Sequence, residues 1–164
     1  MRKVKVSVLF VCLGNICRSP TAQGVFEKLL SECGLSEVIE VDSAGCAGYH
    51  TGEPPDLRAT EAALRRGIDL SRQRGRQVSK RDFEKFDYIL AMDEDNLDYL
   101  RSIEPLKGKA ALKLFLEYAP KLGNREVPDP YYGGATGFER VLDMIEVASL
   151  GLLDEICKIH NLRR

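Results

Sequence analysis

The chain has 164 residues, of which 44% are hydrophobic, and a formal net charge of −1. That length supports one α/β domain over residues 1–164 and is short for two, while the near-zero charge argues against bulk nucleic-acid binding. Charges within the first five residues with no long apolar run behind them argue against a signal peptide or membrane span, and five cysteines without CxxC spacing suit reduced thiols in the cytoplasm rather than disulfides or a zinc site.

Val4 to Val11 (VKVSVLFV) is rich in β-branched and apolar residues and reads as a first strand. Ser19 followed by Pro20 predicts an N-cap and a first helical position, so Cys12 to Ser19 (CLGNICRS) is a strand-to-helix loop. Ala22, Val25, Phe26, Leu29, Leu30 and Cys33 continue at helical spacing until Gly34. A second strand over Val38 to Val41 ends at Asp42, Ser43, Ala44 and Gly45, and a helix after Pro54 and Pro55 ends at Gly67. Phe86 to Met92 predicts the third strand and Ala110 to Leu116 the fourth. Thr136 and Glu139 predict a capping box for a long last helix, whose buried stripe is Phe138, Val141, Leu142, Ile145, Ala148, Leu152, Ile156 and Ile159. The alternation predicts a four-stranded parallel sheet with helices on both faces and a ligand site beyond the carboxyl ends of the strands, where Cys12 lies.

At such a junction the N–H groups of Leu13, Gly14, Asn15, Ile16 and Cys17 converge with the helix dipole on one point, which suits an anion. Those donors and Arg18 stabilise a thiolate, making Cys12 a nucleophile at neutral pH. The planar fork of Arg18 can clasp two phosphoryl oxygens. Gly14 permits backbone angles that side chains forbid, Asn15 can hold the loop by side-chain hydrogen bonds, and the Ser19 hydroxyl caps the helix or reaches the Cys12 sulfur. Cys17, in the same tight loop, is placed to form a reversible disulfide with an oxidised Cys12.

CLGNICRS after a first strand, together with VPDPYY at Val127 to Tyr132, resembles the low-molecular-weight protein tyrosine phosphatases over nearly the whole chain. The resemblance implies hydrolysis of phosphotyrosine and small aryl phosphates through a phosphocysteine. It makes Asp129 the acid that protonates the leaving oxygen and then the base that activates water. Tyr49, Tyr131 and Tyr132 would line the cleft entrance. It implies phosphotyrosine proteins as substrates, phosphate as product, no metal or cofactor, and a monomer with at most weak self-association. A histidine near Ser71 to Arg81 commonly supports the loop in this family. His50 and His160 do not match it, so support falls to Gln23, Asp42 and Ser43. Arg72, Arg74, Arg76, Lys80 and Arg81 read first as solvated charges, and Asp93 first as a helix cap. The alternatives are an arsenate reductase, which needs relay cysteines absent from Ser71 to Met92, and a protein arginine phosphatase, whose loop typically has threonine where Ile16 stands. A non-catalytic phosphopeptide-binding module is disfavoured by the presence of Cys12, Arg18 and Asp129 together.

Overall fold

The computed structural model describes residues 4–131 and 134–164. Four parallel strands, β1 (Val6–Cys12), β2 (Ile39–Gly45), β3 (Tyr88–Ala91) and β4 (Ala111–Leu114), lie in the order β2-β1-β3-β4. β1 pairs with β2 in the register Val8 to Val41 and Cys12 to Gly45, and with β3 in the register Val8 to Tyr88. The chain thus passes from β1 to a neighbour on one side and then crosses to the other side. The C-terminal end of β1 is the switch point where such sheets place ligands.

Every residue of β1 is buried, as expected for a central parallel strand covered on both faces. Its side chains divide by the period of two. Val6, Val8, Phe10 and Cys12 face one apolar layer with Phe26 and Leu30 of α1 (Arg18–Glu32) and Val141, Leu142 and Ile145 of α5 (Ala135–Ile159). Leu9 and Val11 face a second layer with Phe83 and Phe86 and with Leu97 and Leu100 of α4 (Glu94–Ile103). Phe10 meets Phe26 and Phe115 edge-on, at centroid distances of 5.8 and 4.9 Å. α2 (Leu57–Leu64) lies on the α1 side, and the single turn α3 (Asp82–Lys85) precedes β3.

Two cap assignments differ from the sequence expectation. α1 begins at Arg18 with Cys17 at the N-cap and no side-chain cap, so Ser19 is its second residue. The Ser19 hydroxyl is engaged with the loop instead. α5 begins at Ala135 after Gly134, again without a side-chain cap. There is no Thr136–Glu139 capping box because the Glu139 carboxylate accepts from Arg65 and Arg66 at 3.1 and 2.9 Å. Arg66 also reaches Asp143 at 2.9 Å and Glu146 at 2.8 Å, tying the end of α2 to α5. Ile159 of the expected stripe is 60% exposed, since α5 has by then passed the edge of the core. Gly151 on the same helix lies so close to the 3-10 turn Phe115–Tyr118 that a Cβ would stand 1.9 Å from the Tyr118 carbonyl oxygen. His160 is structural, its Nε2 lying 3.1 Å from the Tyr88 hydroxyl.

Candidate active site

The loop after β1 is held from outside by its carbonyls. Cys46 N–H donates to the Cys12 carbonyl, Ala47 to Leu13 and Asp56 to Ile16, at 2.9, 2.9 and 2.8 Å. Among the described residues no backbone carbonyl takes the N–H groups of Leu13 to Cys17, which leaves these five donors for an anion. The loop also presses against β2. A Cβ on Gly45 would lie 2.9 to 3.0 Å from backbone atoms of Leu13, Gly14 and Asn15.

Asn15, not Gly14, carries the unusual backbone, with φ at 59°. Its side chain compensates for that conformation. The amide donates to Ser19 Oγ at 2.8 Å and Ser43 Oγ at 3.0 Å, and Oδ1 accepts from the Arg76 backbone N–H at 3.1 Å. Ser43 Oγ donates onward to Gln23 Oε1 at 2.7 Å, while Asp42 accepts from Ser43 N–H and from Arg76 Nε. The expected supports Gln23, Asp42 and Ser43 all join this network. Arg76 completes it, fixed also by Asp82 at 3.0 Å, so one member of the basic stretch is a buttress and not a solvated charge. Gly14 serves by being small, because a Cβ there would stand 3.0 Å from the His50 ring.

Cys12 Sγ and Ser19 Oγ are 3.1 Å apart. Cys17 is buried, and burial, followed by the charges of Asp56 and Cys12, pushes its thiol far up and keeps it protonated. Arg18 is only 3% exposed. Its Nη1 donates to Asp93 Oδ2 at 2.6 Å and to the Val127 carbonyl at 3.0 Å. Burial works against its charge, but the electrostatic pull of Cys12 and Asp93 outweighs it and raises the guanidinium above its usual value. Asp93 caps α4 with Oδ1, at 2.8 Å from Asn96 N–H, while holding Arg18 with Oδ2. Only tertiary folding reveals this second task.

Val127 N–H donates to the Met92 carbonyl at 2.8 Å and pins the VPDPYY segment beside the end of β3. Asp129, between two prolines, receives the Tyr131 N–H on Oδ1 at 3.0 Å and presents Oδ2 3.7 Å from Arg18 Nη2. A cleft of about 350 Å³ is lined by Cys12, Leu13, Gly14, Ile16, Cys17, Arg18, Asp129 and, at its mouth, Tyr49, His50 and Tyr131. Tyr49 is 66% exposed and Tyr131 39%, so both rings border the opening. His50, held by Glu53 on Nδ1 and edge-on to Tyr49, is a lining residue that its loop position alone does not announce. Asn15, Ser19 and Ser43 are buried and are not among the residues that line the cleft. The expected cleft residue Tyr132 lies outside the described residues.

The family model described as low molecular weight phosphotyrosine protein phosphatase matches residues 7–161. The low molecular weight protein-tyrosine-phosphatase YfkJ of Bacillus subtilis is 44% identical over 96% of this chain and 99% of its own. The human low molecular weight phosphotyrosine protein phosphatase is 49% identical over 82% of this chain and 85% of its own. A crystal structure of a protein tyrosine phosphatase from Entamoeba histolytica, with Hepes in the active site, is similar at a TM-score of 0.89 and 39% identity, covering 96% of this chain and 100% of that one.

Proposed function

The chain belongs to the low molecular weight phosphotyrosine protein phosphatase family, and on that premise we propose that Cys12, Arg18 and Asp129 carry its phosphatase chemistry. The protein is a protein tyrosine phosphatase, a hydrolase working through a phosphocysteine intermediate. The supporting observation is that thiol, guanidinium and carboxyl, far apart in sequence, line one cleft.

In this reading the phosphoryl group of the substrate sits in the loop, on the N–H groups of Leu13 to Cys17 and the free edge of Arg18. Arg18 is anchored from behind through Nη1, so its remaining donors keep their aim. The Cys12 thiolate attacks phosphorus while the ester oxygen leaves as tyrosine, taking its proton from Asp129. Asp129, now a carboxylate, takes a proton from water as that water attacks phosphorus. The S–P bond breaks, the electron pair returns to Cys12 as thiolate, and inorganic phosphate departs. Ser19 donates to that leaving thiolate. Tyr49 and Tyr131 border the aromatic ring of the substrate, and the bulky apolar Ile16 favours phosphotyrosine over phosphoarginine. The same reading takes the chain as a single domain acting in the cytoplasm as a monomer on phosphotyrosine proteins, without metal or cofactor.

Steady-state hydrolysis of matched phosphotyrosine, phosphoserine and phosphoarginine peptides without added metal tests this. Tyrosine-selective turnover is expected. Cys12→Ser should abolish it, and Asp129→Ala should slow it by about 10²- to 10⁴-fold. Undiminished turnover in Cys12→Ser would remove the assigned nucleophile, and a preference for phosphoarginine would overturn the reading of Ile16.

A further inference from the structure

A second groove of about 350 Å³ lies beside the catalytic cleft and shares Leu13 with it as a common wall. Cys46, Gln77, Asp95, Asn96 and Tyr99 are among its other liners. Among them are the Asp95 carboxylate, the Gln77 and Asn96 amide oxygens and the Tyr99 ring, which are acceptors or a π face. Gln77 has already spent an amide hydrogen on the Cys46 carbonyl, at 3.1 Å, and keeps its oxygen. Asn96 is 3% exposed, yet its Oδ1 has no hydrogen-bond partner, an uncommon state for a buried amide oxygen.

The acidic residues at the start of α4 divide by task. Asp93 is committed to Arg18 and Glu94 to Arg125 at 2.7 Å, while Asp95 is exposed and lines the groove. Tyr99 stands one helical turn beyond Asp95, so ring and carboxylate share a face. Among the described residues no lysine or arginine lines the groove. The exposed Leu13 side chain is the ridge between this groove and the site of chemistry.

We propose that this groove is a substrate subsite for a basic side chain, lysine or arginine, near the phosphotyrosine in the substrate chain. The inference rests on the phosphatase reading above and adds a substrate preference to it. With the phosphate in the loop after β1, the peptide crosses Leu13. A cationic side chain then enters over the Tyr99 ring, pairs with Asp95 and supplies hydrogens toward Gln77 Oε1 and Asn96 Oδ1.

The test compares kcat/KM for phosphotyrosine peptides carrying lysine, alanine or glutamate at each position flanking the phosphotyrosine, with p-nitrophenyl phosphate alongside. The expected result is a lysine-over-alanine ratio of about 3- to 10-fold at one or two positions, with glutamate below alanine. That ratio should fall toward unity in Asp95→Asn, shrink in Tyr99→Ala and weaken as salt is raised. Using the ratio cancels any common loss of activity or folding in the variants. Turnover of p-nitrophenyl phosphate and of the alanine peptide, with lysine, alanine and glutamate equivalent at every position, would overturn the subsite while leaving the phosphatase reading intact. A lysine preference unchanged in Asp95→Asn would also overturn it, and failure to hydrolyse even p-nitrophenyl phosphate would remove the premise.

Discussion

Ser19 Oγ lies 3.1 Å from Cys12 Sγ and accepts a 2.8 Å hydrogen bond from Asn15 Nδ2, which leaves its hydroxyl hydrogen free to turn toward an acceptor such as the sulfur. The competing acceptor, the Ala44 carbonyl, is farther at 3.3 Å. On the proposed reading, Ser19 is therefore placed to stabilise negative charge on the sulfur as it leaves phosphorus.

Ser19→Ala should slow turnover by about 10- to 100-fold, the scale of losing one oriented donor to a developing charge. The second step suffers because the thiolate is then the leaving group. Rapid-quench kinetics with an aryl phosphate should show a larger initial burst of phenol in the variant. A loss of rate with no change in burst would place the defect before the phosphocysteine.

Replacing Asn15 separates strain from hydrogen bonding. Asn15→Ala loses three side-chain bonds and leaves an ordinary side chain at a φ of 59°, whereas Asn15→Gly loses the same bonds without the conformational cost. Denaturant unfolding should find the glycine variant more stable than the alanine variant by about 1 kcal/mol. Both should fall by about 10- to 100-fold in kcat/KM, because a displaced loop misaligns nucleophile and phosphorus. A glycine variant with wild-type kinetics would show that the loop does not need the amide.

Gly151→Ala tests the contact between α5 and the Tyr118 turn. Helix propensity alone favours alanine by about 1 kcal/mol. With the Tyr118 carbonyl oxygen 1.9 Å from the new Cβ, one element must move, and overpacking of this kind costs about 1 to 3 kcal/mol or more. The expected outcome is a lowered Tm, and a raised one would mean that the two elements part without cost.

The Arg66 clamp gives a pH-dependent term of known sign. Hydrogen bonds from Arg66, then Arg65, hold the Glu139 carboxyl below the usual carboxylate range. A depressed folded value contributes stability that is present above the unfolded value of about 4.3 and is lost as pH falls through the folded one. Glu139→Gln should therefore melt below wild type at pH 7, and the gap should close in acid. Because the pair is half-exposed and screened, the gap corresponds to no more than about 1 kcal/mol. A gap that persists at pH 2 would assign it to packing instead.

What the sequence discloses here follows the range of the interactions. The Cys12 to Arg18 loop is legible because strand, loop and helix are contiguous, and one stretch of chain supplies the thiol, the loop N–H groups and the guanidinium that line the cleft. Asp129 is legible only through resemblance, since an aspartate between prolines is otherwise an ordinary turn. Asp93 is legible as the helix cap it is but not as the partner of Arg18, and Arg76 looks like a surface charge until the fold brings Asn15 to it. Ser19 misleads as a cap because its hydroxyl has a closer claimant. Glu139 misleads for the same reason, its partners being on another helix. Ile159 continues a periodic stripe past the end of what it packs against.

The close seat of Gly45 against Leu13, Gly14 and Asn15 bears on the end of the reaction cycle as well as its start. A loop seated against β2 and tied by Asn15 is held in shape by the protein's own contacts, so on the proposed reading little ordering entropy is lost when a phosphoryl group binds. On the proposed reading such a cradle has no means of favouring the arriving ester over the inorganic phosphate that the reaction releases, because both present phosphoryl oxygens to it. Discrimination on that reading falls to the rings at the rim and to the proposed subsite behind Leu13, which would touch only what the product has already shed. On that reading inorganic phosphate should compete with substrate for the loop, and turnover is expected to slow as phosphate accumulates.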